Sequence, residues 1–200
     1  MIEKLASTYY RLQSLTIDRV KPLDGLGPLA LRLFLAPIFW MGGINKLNSF
    51  DSIVGWFGPG GLDLPLPMLM ASLATGTEIL GAILLVAGLA TRWITIPLMV
   101  TMVVAIFTVH IDNGWAAIAS SADSEIASRV GAARGLLEQY GNYDWLTAKG
   151  SFVILQNGIE FAVTYFIMLF SLFFTGGGRF FSMDYYLDRA FNPTSQQQAE

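Results

Sequence analysis

The sequence predicts an all-α integral membrane protein: a four-helix bundle with an N-terminal interfacial helix and a helical outer loop. Of its 200 residues, 54% are hydrophobic and only 14% are charged, whereas a typical soluble domain has about 25% charged residues. Four apolar segments approach the roughly 20 residues that an α-helix needs to cross about 30 Å of hydrocarbon. Most of the chain is therefore predicted to contact lipid rather than water.

The first 25 residues are predicted to form an amphipathic cytoplasmic segment. Its apolar residues recur at spacings of three and four along one helix face: Ile2, Leu5, Tyr9, Leu12 and Leu15. Such a helix either lies in the membrane interface or docks on protein. The segment lacks the apolar core and the small-residue cleavage site of a signal peptide, so none is predicted.

A transmembrane domain is predicted over residues 26–175. Its four spans cover about 26–47, 67–90, 93–111 and 152–175, with an outer loop at 112–151 that contains a helix. The turn of two residues at 91–92 forces the second and third spans to lie antiparallel as neighbours. Three glycines at 176–178 end the fourth span, and residues 176–200 form a cytoplasmic tail.

Lysines and arginines outside the spans are divided unequally between the two sides of the membrane. The N-terminal segment has four, the 91–92 turn has one and the tail has two, which makes seven on that side. The other side has four: Lys46, Arg129, Arg134 and Lys149. Because positive residues favour the cytoplasmic side, both termini are predicted to be cytoplasmic.

Composition excludes several classes of function. The net charge is −3 and no stretch is rich in Lys or Arg, so nucleic-acid binding is not predicted. The absence of cysteine excludes thiol catalysis and iron–sulfur ligation by thiolates. A single histidine cannot supply both axial ligands of a bis-histidine haem, and no metal site is predicted. No glycine-rich nucleotide-binding motif is present.

Three ionisable residues fall within the predicted spans: Arg32, Glu78 and Glu160. Each costs about 2.5–3.5 kcal/mol in mid-membrane, so all three are predicted to face the bundle interior. Arg32 and Lys46 fall on one stripe of the first span, and Asn157 and Glu160 share a stripe of the fourth. If Arg32 pairs with Glu78 alone, Glu160 is left unpaired and its protonated form is favoured. Alternatively, these charges only fix which helices pair.

Several of these residues also occur in a recognisable pattern. An arginine early in the first span, Gly-Gly-x-x-Lys at its end (42–46), Glu-x-x-Gly in the second span (78–81) and Thr-Arg in the turn (91–92) resemble the DoxX family of small four-helix membrane proteins. The likeness covers about residues 28–175. Segments 35–40, 91–99, 141–147, 157–161 and 184–187 are similar to the HvfX-like branch of that family.

The resemblance implies a multi-pass protein of the bacterial inner membrane. For the HvfX-like branch it implies an accessory role beside enzymes that modify a cysteine-containing, copper-related peptide. Other DoxX relatives are associated with quinone-linked oxidation of sulfur compounds. Expected partners are the lipid bilayer, periplasmic or membrane proteins, and further copies of the chain.

The leading hypothesis is a redox-associated subunit whose bundle interior binds a quinone headgroup. Its expected catalytic residues are Glu78, Glu160 and Arg32, and its expected substrate-binding residues are Lys46, His110 and Asn157. His110 is alternatively a hydrogen-bonded residue of the membrane interface. Two other classes of function stay open: a small proton-coupled transporter or export factor, and a non-catalytic scaffold for periplasmic partners. Whether the chain is itself an enzyme is open at this point.

Overall fold

The structure is a computed structural model that describes residues 1–118 and 124–192. Within these residues every regular element is a helix, and the only bridge pairing is the isolated one between Ile118 and Leu155. The α-helices of the described part are α1 (Ile2–Val20), α2 (Leu26–Asn48), α3 (Phe50–Phe57), α4 (Pro67–Ala87), α5 (Thr91–Ala105), α6 (Ser124–Tyr140), α7 (Tyr143–Thr147), α8 (Glu160–Thr175) and α9 (Met183–Phe191). The predicted all-α class is confirmed.

Three helical stretches are long and apolar enough to cross a membrane: Leu26–Asn48, Pro67–Ala87 and Thr91–Asn113. The third consists of α5, a π-helical turn (Ile106–His110) and a 3-10 turn (Ile111–Asn113). All three overlap the first three predicted spans. Only 22–33% of their apolar windows is buried within the protein, so the remaining surface is available to lipid.

The fourth predicted span begins later than expected. Helix α8 starts at Glu160 and has 16 residues, which is about 24 Å of helix. The preceding residues are not helical, because the amides of Gln156 and Asn157 both donate to the carbonyl of Ala117. Asn157 also has a φ of +60°, which a helix cannot accommodate. The predicted helix over 152–159 is therefore wrong.

Residues 1–100 and the described part of 167–200 form one compact unit. In this unit α2 and α4 pack along each other, and α3 packs on α4. The core side chains include Leu35, Phe39, Ala71, Leu85, Leu98, Leu169 and Leu172. Helix α4 starts with Pro67, whose fixed φ suits a first helical position.

A tight turn joins α4 to α5. Gly88 has a φ of +60°, and the amide of Leu89 donates to the carbonyl of Leu84, which closes the end of α4. The helices then run back antiparallel, and a Cβ on Gly81 would lie 2.9 Å from the Leu98 side chain. The close pairing that the short turn predicts is thus observed.

Residues 101–166, as far as they are described, form the second compact unit. The predicted outer-loop helix is present as α6, and α7 follows it. Neither helix has a buried side chain. Large apolar side chains on both are exposed, including Leu136, Tyr140 and Trp145.

Candidate functional site

Lys46 and Glu78 form an ion pair between α2 and α4. The Lys46 Nζ lies 2.8 Å from Oε1 and 2.6 Å from Oε2 of Glu78. The Glu78 side chain is 8% exposed and that of Lys46 is 24% exposed. The pair is therefore mostly shielded within two apolar helices, while its cation keeps some access to the surroundings.

Two glycines allow this pair to form. A Cβ on Gly43 would lie 2.6 Å from Ile79 Cγ1 and 3.1 Å from the Ile79 amide, so α2 and α4 meet here at backbone distance. A Cβ on Gly42 would lie 3.2 Å from Glu78 Oε2 and 3.7 Å from Lys46 Nζ. Larger residues at these positions would push the helices apart or crowd the charged groups.

A buried hydroxyl lies one helical turn from the pair. Thr75 is 4% exposed, and among the described residues its Oγ1 has no hydrogen-bond partner. Thr75 and Glu78 are three residues apart on α4 and therefore share a face. The sequence analysis missed Thr75, although its spacing from Glu78 could have indicated it.

An apolar groove of about 520 Å³ also lies between α2 and α4, but it is separate from the ion pair. Leu33, Trp40, Ile83 and Val86 are among its lining residues. Lys46 is six residues from Trp40, which places it about 120° away around α2. Gly43, which packs against Ile79, lies between Trp40 and Lys46 around α2. It therefore separates the groove from the ion pair.

Arg32 is fully buried and bonds to neither Glu78 nor Glu160. Its Nε donates to Leu85 at 2.7 Å, and its two Nη atoms donate to the carbonyls of Val86, Gly177, Phe180 and Phe181 at 2.5–3.5 Å. The last carbonyls of α4 have no partner within their own helix and carry the negative end of its dipole. The predicted pairing of Arg32 with a carboxylate is therefore wrong.

Asp184 bonds to the other side of the same turn. Its carboxylate accepts from the amides of Ala90 at 2.6 Å and Thr91 at 2.8 Å, which are free at the start of α5. The Asp184 amide and the Ser182 hydroxyl both donate to the Gly88 carbonyl. The chain after α8 is thereby fixed to the α4–α5 turn.

The remaining predicted site residues lie in the second unit. His110 Nδ1 is 2.8 Å from the Asn157 carbonyl, so this nitrogen must carry the hydrogen, and Asn113 donates to the same oxygen. Glu160 is half-buried at the first residue of α8, and it accepts from the Ala117 amide at 2.9 Å. Asn157 lies outside the helix, so the prediction that Asn157 and Glu160 share a helical stripe is wrong.

Comparison with known proteins identifies the region that holds the ion pair. The model of the DoxX family matches residues 27–111. The resemblance to the DoxX family is therefore confirmed over these residues. Over 86 residues the chain is also 33% identical to a Bacillus subtilis (strain 168) protein named "Putative oxidoreductase CatD".

That alignment covers 43% of this chain and 61% of the Bacillus protein. No solved structure matches the chain significantly.

The DoxX region contains Arg32, Lys46, Glu78 and, at its outer limit, His110. Glu160, Asn157 and Asp184 lie beyond it. Asp184 was missed as a contact residue by the sequence analysis, since its partners are backbone amides more than 90 residues away. The helices of the matched region therefore depend on a later part of the chain for the contacts that close the α4–α5 turn.

Proposed function

We propose that this chain is a DoxX-family protein and a redox-associated membrane subunit that binds a quinone headgroup at Lys46 and Glu78. The observation that carries the proposal is the shielded ion pair between two apolar helices of membrane-spanning length. Ionisable groups inside a membrane are costly and usually functional. The name of the Bacillus relative, "Putative oxidoreductase CatD", favours redox chemistry over other uses of such a pair.

The residues around the pair suit this ligand. A bound quinone takes up two electrons and two protons as it becomes a quinol. The Lys46 ammonium can donate a hydrogen bond to a quinone oxygen, and the Thr75 hydroxyl offers a second donor that has no partner among the described residues. The Glu78 carboxylate can pass protons. A partner redox protein supplies the electrons under this proposal.

The roles of the other expected site residues change accordingly. All five N–H donors of Arg32 are directed at carbonyls, so a substrate would have to displace those bonds. We therefore assign anion stabilisation to Lys46 and an architectural role to Arg32. His110, Asn157 and Glu160 lie in the second unit, and we propose them as a route for protons at the outer end of the third span.

The proposal includes a location and a setting. Both termini are cytoplasmic in a bacterial inner membrane, in keeping with the seven-to-four division of Lys and Arg. The resemblance to the HvfX-like branch favours support of copper-related peptide maturation, and the wider DoxX resemblance favours oxidation of sulfur compounds. Either role requires a membrane or periplasmic protein partner.

Quinone content tests this function directly. The full chain is purified in mild detergent, and extracted lipid is assayed for quinone in wild type, Glu78→Gln and Lys46→Gln. Near-stoichiometric quinone in wild type and its loss in both variants are expected. Glu125→Gln is the matched control, because Glu125 forms an exposed ion pair with Arg129 on α6 and its loss should leave quinone content unchanged.

The outcomes separate the alternatives. A well-folded wild type without quinone, and without binding of added quinone, contradicts the proposal. Flux of a solute into vesicles that depends on Glu78 would instead support a proton-coupled transporter.

A scaffold function has one observation in its favour, the exposed aromatic side chains of α6 and α7. Tyr140 is 78% exposed and Trp145 is 72% exposed, and aromatic residues are common at protein interfaces. A scaffold would keep its cellular activity in Glu78→Gln and lose it when α6 and α7 are replaced by a polar linker. The redox function predicts loss of activity in Glu78→Gln.

A further inference from the structure

Helix α9 carries an exposed apolar stripe. Four large side chains on one face are 44–80% exposed: Met183, Tyr186, Leu187 and Phe191. Asp188 and Arg189 lie on the other side of the helix, and Asp184 flanks the stripe. A short helix with one apolar and one charged face is typical of segments that lie in the plane of a membrane surface.

The height of α9 relative to the membrane-spanning helices is fixed by three hydrogen bonds. The Asp184 carboxylate binds the amides of Ala90 and Thr91, and the Asp184 amide binds the Gly88 carbonyl. These residues form the turn between α4 and α5, both of which belong to stretches of membrane-spanning length. Since membrane-spanning helices end at the bilayer surface, the start of α9 lies at that surface.

Other exposed side chains at this level are of the kind that lipid headgroup regions favour. Trp93, in the first turn of α5, is 76% exposed, and Phe181, just before α9, is 80% exposed. Arg92 is exposed beside Trp93. Tryptophan is enriched at the membrane–water interface, and arginine is enriched in the cytoplasmic loops next to it. The residues around α9 therefore match the membrane interface.

We propose that α9 is an in-plane membrane anchor, whose Met183, Tyr186, Leu187 and Phe191 side chains enter the boundary between acyl chains and headgroups. A second copy of the chain is a weaker fit to this stripe. The helix has nine residues, about 13 Å in length, whereas a stable protein interface buries about 800 Å² on each partner. The inference does not depend on quinone binding at Lys46 and Glu78.

Single-site spin labelling tests the anchor, and the chain suits it because it contains no cysteine. Leu187→Cys and Phe191→Cys report on the apolar face, and Asp188→Cys and Arg189→Cys report on the opposite face. The full chain is placed in vesicles of phosphatidylethanolamine and phosphatidylglycerol. Nitroxide collisions are then measured with oxygen, which concentrates in lipid, and with a water-soluble nickel complex.

The ratio of oxygen to nickel collisions is expected to be several-fold higher at 187 and 191 than at 188 and 189. Equal and high nickel access on both faces would place α9 in water and overturn the proposal. Protection of 187 and 191 from both reagents would mean that protein covers the stripe, which also overturns it.

A second variant tests whether Asp184 sets the position of α9. In Asp184→Ala the contrast between 187 and 188 is expected to shrink, while a label at Trp93→Cys keeps its oxygen access. Ser182→Ala, which removes only one bond to Gly88, should have a smaller effect. If the contrast persists in an Asp184→Ala protein that elutes as wild type on gel filtration, Asp184 does not fix the anchor.

Discussion

Arg32 and Lys46 lie on the same face of α2, fourteen residues or about 21 Å apart, yet their surroundings differ. Arg32 is completely buried and its charge is met by five backbone carbonyls. Lys46 is 24% exposed and is met by one carboxylate. A cation in a membrane helix can thus bond to the carbonyls at helix ends, or it can pair with a carboxylate and stay partly exposed.

The chemistry of the two side chains explains this division. A guanidinium has five N–H donors in a rigid planar fork, and it can satisfy carbonyls from two segments at once. An ammonium is compact and sits on a flexible stem, so it can exchange a carboxylate for another acceptor. Arg32 therefore suits a permanent contact, whereas Lys46 suits a contact that changes when a ligand binds.

Removal of Arg32 should give the largest loss of stability. Arg32→Met leaves carbonyls of residues 85, 86, 177, 180 and 181 without their donor, and a loss of about 3–5 kcal/mol is expected. Arg32→Lys should recover little, because three donors cannot replace the fork. Reversible unfolding in mixed detergent micelles measures both variants. Full stability of Arg32→Lys would mean that charge alone, without the fork, is sufficient.

Disruption of the Lys46–Glu78 pair should have the next largest effect. Glu78→Gln leaves a partly buried ammonium without its counter-charge, and a loss of about 2–3 kcal/mol is expected. A double-mutant cycle with Lys46→Met measures the interaction, and the double variant should be more stable than the sum of the single losses predicts. Strictly additive losses would show that the two side chains do not interact in the membrane.

Close approach of α2 and α4 at the Lys46 end should be sensitive to one methyl group. Gly43→Ala places a Cβ 2.6 Å from Ile79 Cγ1 and 3.1 Å from the Ile79 amide, so a loss of about 1–3 kcal/mol is expected from overpacking. Gly76→Ala on α4 is the matched control, since its Cβ would meet no atom within 4 Å. Equal stability of the two variants would contradict the close contact.

The smallest loss of stability is expected from removal of the Asp184 carboxylate, which caps the start of α5. Asp184→Ala leaves the amides of Ala90 and Thr91 unsatisfied at the start of α5, which costs about 1 kcal/mol. Asp184→Asn should restore part of this, because an amide oxygen still accepts a hydrogen bond. Asp188→Ala on the same helix serves as the control. Hydrogen exchange at Ala90 and Thr91 should rise in the Asp184→Ala variant only.

Helical periodicity was enough to predict the inward face of α2. Arg32, Ala36, Phe39 and Gly43 share a stripe in the sequence, and all four are buried in the structure. The partner of Arg32 could not be predicted, because its acceptors are backbone carbonyls and every residue has one. From the sequence, the only negatively charged partners within the predicted spans were the carboxylates of Glu78 and Glu160.

The start of the fourth span shows a second limit of sequence patterns. Apolar residues continue back to Phe152, so hydropathy alone extends the helix there. The helix starts at Glu160 because the backbone of residues 156–160 bonds to the carbonyls of residues 114–117. These hydrogen bonds join segments that are about 40 residues apart in the sequence, so no local sequence pattern could predict them.

The Asp184 contacts also affect when the α4–α5 hairpin can reach its final structure during synthesis. Asp184 follows the amides that it caps by 93 and 94 residues, which at about 5–20 residues per second takes roughly 5–20 s. During that interval the α4–α5 hairpin has left the ribosome without its cap. The hairpin in the nascent chain is therefore finished only when the segment that contains Asp184 has been synthesised.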